Sequence, residues 1–151
     1  MSKDVMIRIK GVYTVENDQT TAELFTKGKM YKKNNHTYLT YEETETTGYE
    51  GCTTTLKIEE QGRVTMMRKG ATSAHLVLQP GIRNIGRYTV YGNPMEIGVF
   101  AENLEWRLND DSASLHMAYT LDMNSVLMSE NELYIDVSQI EKLSHNSERL
   151  P

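Results

Sequence analysis

A chain of 151 residues with 38% hydrophobic and 25% charged residues has the size and make-up of one globular domain, long enough to bury a core without disulfides or a structural metal. Its formal net charge of −5 argues against broad electrostatic affinity for nucleic acid or anionic membranes. A lone cysteine, Cys52, rules out an intrachain disulfide and fits a reducing compartment, and no apolar run reaches the roughly 18 residues of a membrane span, so a cytoplasmic protein with no membrane partner is expected.

The start, Met1-Ser2-Lys3-Asp4-Val5, has no apolar stretch behind its charges and does not read as a signal peptide. Val5, Ile7 and Ile9 then share one face while Arg8 and Lys10 share the other, the period-two pattern of a half-buried strand. Gly11 interrupts this strand and marks a bend or a close backbone approach. Leu39 with Tyr41, Leu56 with Ile58, and Val64 with Met66 repeat the alternation. Ile97 and Val99 lie on one parity but Leu104, Trp106 and Leu108 on the other, which one extra residue near Ala101 to Asn103 explains as a bulge or sharp bend. A helix competes there, because Phe100, Leu104 and Leu108 are spaced by four; Trp106 favours the strand.

The longest alternation runs Leu115, Met117, Tyr119, Leu121, Met123, and Leu133, Ile135 and Val137 form the last. Ser138-Gln139-Ile140-Glu141 has the spacing of a capping box, which predicts one short helical turn through Leu143 before a polar tail. Between the runs stand turn signals: Asn17-Asp18, Asn34-Asn35, Gln61-Gly62, Pro80-Gly81, Gly92-Asn93-Pro94, Asn109-Asp110-Asp111 and the Ser129 to Asn131 stretch.

Strands at this spacing number about nine or ten and predict an all-β domain. With no repeat or linker, residues 1–151 are one domain, with a core over 3–140 and a tail over 144–151. An open sheet of that size would expose two edges, so a closed antiparallel β-barrel is expected, with a two-sheet sandwich as the alternative. Nine methionines and nine tyrosines suit an interior partly open at one mouth, and equally a solid core.

The chain resembles the YwiB-like family of uncharacterised small bacterial β-barrels. The resemblance covers Lys3 to about Ile140 and rests on the order and spacing of several short pieces. They are Glu23-Leu24-Phe25-Thr26-Lys27-Gly28 with Tyr31, Tyr38-Leu39-Thr40-Tyr41-Glu42-Glu43, and Thr54-Thr55-Leu56-Lys57-Ile58. Arg68-Lys69-Gly70, Tyr91-Gly92, Ile97-Gly98-Val99 and Asn131-Glu132-Leu133 follow. It implies a calycin-like, lipocalin-like barrel and carries no activity, cofactor or site residue with it. Two departures stand out. The family pattern has proline where this chain has Val90, and the Gly-x-Trp of true lipocalins is replaced by Gly11-Val12-Tyr13, so a lipocalin function would rest on fold analogy alone.

No catalytic, metal or nucleotide motif is present in the sequence. His36, His75, His116 and His145 are not paired with one another or with Cys52 at ligand spacing, so no metal site and no cofactor are expected. Cys52 has no basic neighbour in sequence to lower its pKa, while Glu50 would raise it. Glu42 and Glu43 are adjacent in a strand and point to opposite faces, which denies them the shared substrate of a glycosidase carboxylate pair. Lys27, Lys29 and Lys33 share a parity with Tyr31, either a single-stranded nucleic-acid track or a solvated strand face; the overall acidity favours the second.

The informative pair is Glu43 and Arg68. Glu43 continues the apolar parity of Leu39 and Tyr41, and Arg68 that of Val64 and Met66. Both then point inward near strand ends, as a charged pair at one barrel mouth, unless each strand leaves the core before its last residue. The expected function is non-catalytic binding of a small, largely apolar ligand, with Tyr41, Glu43, Arg68 and Trp106 lining the site. The alternatives are a protein-interaction or regulatory module, acting through its outer face or as a homodimer, and an enzyme with a loop-assembled site.

Overall fold

The computed structural model describes residues 2–47 and 49–140. Ten antiparallel strands follow one another around a closed barrel: β1 (Lys3–Val15), β2 (Asp18–Lys33), β3 (His36–Glu42), β4 (Thr53–Glu59), β5 (Arg63–Lys69), β6 (Thr72–Leu78), β7 (Arg83–Val90), β8 (Asn93–Leu108), β9 (Ala113–Met123) and β10 (Val126–Gln139). Each pairs with its sequence neighbours, and β10 returns to β1, with Val5 opposite Gln139 and Thr14 opposite Glu130. The ring therefore has no free edge, and the sandwich alternative is set aside.

The period-two residues form the core. Val5, Ile7 and Ile9 face Leu133, Ile135 and Val137 across the closing seam, and Leu39, Leu56, Ile58 and Val64 continue the ring, all buried. Burial of each such side chain stabilises the fold by about 1.5–3 kcal/mol relative to exposure. Gly11 points inward, and Tyr13 folds its ring over it; a Cβ at position 11 would collide with the ring. The glycine is thus a close approach rather than a bend.

Tight turns need left-handed backbone, and the sequence supplies it unevenly. Asn34 and Asn35 (φ 55° and 66°) join β2 to β3, as their composition predicts. Glu16-Asn17, Tyr91-Gly92 and Asn124-Ser125 make the corresponding two-residue turns, all with positive φ. Val90 ends β7 opposite Asn93.

β8 is one strand with an irregularity in its register between Ala101 and Asn103, where Glu102 is the extra residue. Both inward sets, Ile97 with Val99 and Leu104 with Trp106, are thereby kept on the core side, and the helix alternative is excluded. The carbonyl of Ala101 accepts the N–H of Gly81 at 3.1 Å, which ties the β6–β7 connection to β8.

Two expectations fail here. Ser129 to Asn131 is not a turn: it lies inside β10, and Asn131 is buried because its amide donates to Ser129 Oγ at 3.0 Å and to the carbonyl of Tyr119 at 3.4 Å. Ser138 and Gln139 belong to β10, paired with Met6 and Val5, and so do not cap a helix. The rest of the predicted helical turn and the polar tail lie outside the described residues. No helix among the described residues is long and apolar enough to cross a membrane.

Candidate functional site

Up-and-down topology sends the ends of β1, β3, β5, β7 and β9 to one mouth, together with the starts of their partners. Inside that mouth is a cavity of about 250 Å³. Ile9, Met66, Leu121 and Leu133 give it apolar walls, and five tyrosines, Tyr13, Tyr41, Tyr49, Tyr88 and Tyr119, surround it. Glu43 and Arg68 also line it. Both charged residues are 7% exposed, so the sequence parity that turns them inward holds, and the solvated-charge alternative does not.

Register brings them together. Tyr41, Thr54 and Arg68 are successive cross-strand partners on β3, β4 and β5. Glu43 follows β3 into the connection to β4, where its N–H donates to the carbonyl of Cys52 at 2.8 Å. Thr54, fully buried, sits between the charges: its hydroxyl donates to Glu43 Oε2 at 2.5 Å and accepts from Arg68 Nε at 3.2 Å. Arg68 Nη2 reaches the same Glu43 oxygen at 3.4 Å. The ring of Tyr49 covers the guanidinium, 3.7 Å from its carbon to the ring centroid, a cation–π contact strengthened by exclusion of water.

The phenols of Tyr13, Tyr41, Tyr88 and Tyr119 are held neutral. Burial raises the pKa of Tyr41 well above its usual range, with the Glu43 charge adding to the effect. Burial also pushes Tyr88 up to about 12, though a hydrogen bond with Arg68 opposes this. Tyr13 and Tyr119 rise for the same first reason. The arrangement thus offers neutral hydroxyls and part of one guanidinium fork inside apolar walls, a chemistry of recognition by hydrogen bonding.

Of the four residues expected to line a site, Tyr41, Glu43 and Arg68 meet here. Trp106 does not. It lies on the segment of β8 beyond the bulge, opposite Leu115, and packs against the core towards the other end of the barrel. Tyr13, Thr54 and Tyr119 were legible as inward positions by parity with Gly11, Leu56 and Met117. Tyr49, from an irregular connection, carries no such signal.

Cys52 departs from expectation. It is buried beside Thr72, and although burial pushes its thiol up, hydrogen bonds with Thr72 and the backbone at Ala71, and then the Arg68 charge, lower it overall. The basic neighbour comes from the fold, across β4 and β5, not from adjacent sequence. Elsewhere, the lysine stripe faces outward: Lys29 pairs with Asp4 at 2.7 Å, and Tyr31 stacks on Tyr38 at 4.9 Å between centroids. His116, on the outer wall, contacts Glu132 at 2.7 Å and Glu105 at 3.3 Å and stacks on Tyr134. Among the described residues no group of three or more His, Cys, Asp or Glu side chains could hold a metal ion.

Comparison with known proteins places the chain in a family. The family model described as "Domain of unknown function (DUF1934)" matches residues 7–135. The uncharacterized beta-barrel protein YwiB of Bacillus subtilis (strain 168) is 26% identical over 117 residues, 78% of this chain and 80% of that protein. The crystal structure of the ywiB protein from Bacillus subtilis superposes with a TM-score of 0.81 at 21% identity, covering 93% of this chain and 94% of that one. The likeness extends to the fold.

Proposed function

For a chain that belongs to the DUF1934 family, described as a domain of unknown function, we propose a non-catalytic role: binding a small, largely apolar ligand in the cavity at the barrel mouth. The observation that carries this reading is the buried Glu43–Thr54–Arg68 network at the edge of a mainly apolar and aromatic cavity, whose other polar lining residues are Ser129 and Asn131. A buried ion pair is a poor source of stability, and hydrophobic replacements of similar volume are often as stable or better. Its position against an open space suits a role in orienting the polar end of a ligand. A volume of about 250 Å³ falls just below the range of about 300–1,000 Å³ usual for drug-sized ligands, which favours a smaller molecule. A reducing, cytoplasmic setting agrees with the single cysteine.

A second reading, a protein-interaction module, draws on the β9–β10 hairpin, where Val126, Leu127 and Met128 are exposed in sequence. Native mass spectrometry of protein purified gently from its own host separates the two. Ligand binding predicts an added mass that survives gentle ionisation and disappears on denaturation. A bare monomer or dimer overturns that reading in favour of the interaction module.

A further inference from the structure

The charges under the cavity cancel. One guanidinium and one carboxylate lie 3.4 Å apart, with side chains 8% and 3% exposed. Burial keeps the phenols of Tyr13, Tyr41, Tyr88 and Tyr119 neutral, so among the described lining residues no net charge remains for a ligand to neutralise. A charged ligand would have to leave water without a counter-ion, which is costly.

Hydrogen-bonding capacity does not cancel. A guanidinium carries five N–H donors in a planar fork. Arg68 directs Nε to Thr54 and Nη2 to Glu43, and shares a further hydrogen bond with Tyr88. Among the described residues these contacts use only part of the fork, and Arg68 lines the cavity. The same space is lined by Ile9, Met66, Leu121 and Leu133, which have no polar side-chain group to offer.

We propose that the ligand is an uncharged, ring-sized molecule with an acceptor oxygen such as a carbonyl, which Arg68 holds while the hydrocarbon body packs on Ile9, Met66, Leu121 and Leu133. This rests on the ligand-binding reading above and deepens it. Acceptors suit the site better than donors because the cation's unused groups are all N–H. The neighbouring phenols accommodate either role, so they add orientation without reversing that preference.

The test uses the full chain and four probes that share one ring: cyclohexanone, cyclohexane, cyclohexanecarboxylate and cyclohexylammonium. Binding is followed by NMR, through methyl signals of the apolar wall and the Nε–H of Arg68. Cyclohexanone is expected to bind about tenfold tighter than cyclohexane, the increment of one hydrogen bond to a charged donor, and to move the Arg68 signal. In the double variant Glu43→Gln/Arg68→Met the ketone should lose that advantage while cyclohexane still binds. If the double variant does not fold, the Arg68 signal of the unmodified protein decides alone. Equal binding of ketone and hydrocarbon overturns the ligand class but keeps the cavity as a binding site. A preference for the carboxylate or the ammonium overturns the claim of an uncharged ligand. Failure of all four to bind overturns both the ligand class and the binding reading.

Discussion

At the scale of single residues, Arg68 is held by partners that each compensate its burial. Removing it takes the guanidinium away from a carboxylate that stays in the interior and still accepts from Thr54, and loss of one partner of a buried pair costs about 3–5 kcal/mol. Arg68→Met should therefore lower stability by about 3 kcal/mol. Glu43→Gln should cost less, because the amide oxygen can still accept from Thr54. The double variant should recover at least about 1 kcal/mol of the summed losses, since it buries neither charge. Urea unfolding of the four proteins measures this. Losses that add to within about 0.5 kcal/mol would mean that the two side chains are energetically independent despite their contact.

At the scale of elements, the turns differ in how well their residues suit the backbone. Tyr91, 87% exposed, sits at φ 50° beside Gly92 at φ 78°. Left-handed backbone costs an ordinary residue about 1–2 kcal/mol, whereas Asn-Gly is the preferred pair for such a hairpin turn. Tyr91→Asn should raise stability by about 1 kcal/mol, seen as a higher thermal midpoint. An unchanged midpoint would indicate that the exposed ring makes up the loss elsewhere. The same turn shows why boundaries were harder to read than strands. Parity is a property of burial, so it located the inward faces and even the extra residue in β8. Turn composition is a weaker guide: Asn131 carries a turn residue's side chain but spends its amide inside the barrel, while the real turn at Asn124-Ser125 lay seven residues earlier than the polar cluster's end. The candidate site divides in the same way. Glu43 and Arg68 were legible because each extends an apolar parity, Trp106 was misplaced because parity fixes a face and not an end of the barrel, and Tyr49 was invisible because its connection has no period.

At the scale of the whole molecule, the order in which contacts become affordable follows from topology. Nine of the strand pairings join neighbours in sequence, and one, β10 with β1, joins opposite ends of the chain. Loop-closure entropy must be met before such a distant pairing gains its contacts, so the seam should form after the transition state and the local hairpins before or within it. Ile135, 1% exposed on β10 opposite Ile9, and Ile58, 1% exposed on β4 opposite Val64, provide matched probes. Each Ile→Val change should cost about 1 kcal/mol. Ile135→Val should speed unfolding and leave folding nearly unchanged, and Ile58→Val should slow folding, as read from denaturant dependence of the two rates. The reverse pattern would mean that closure nucleates the barrel. The cavity straddles the seam, with Ile9 and Tyr13 on β1 and Asn131 and Leu133 on β10. A seam that closes late therefore completes the cavity late, and a ligand bound there should act on the unfolding rate alone.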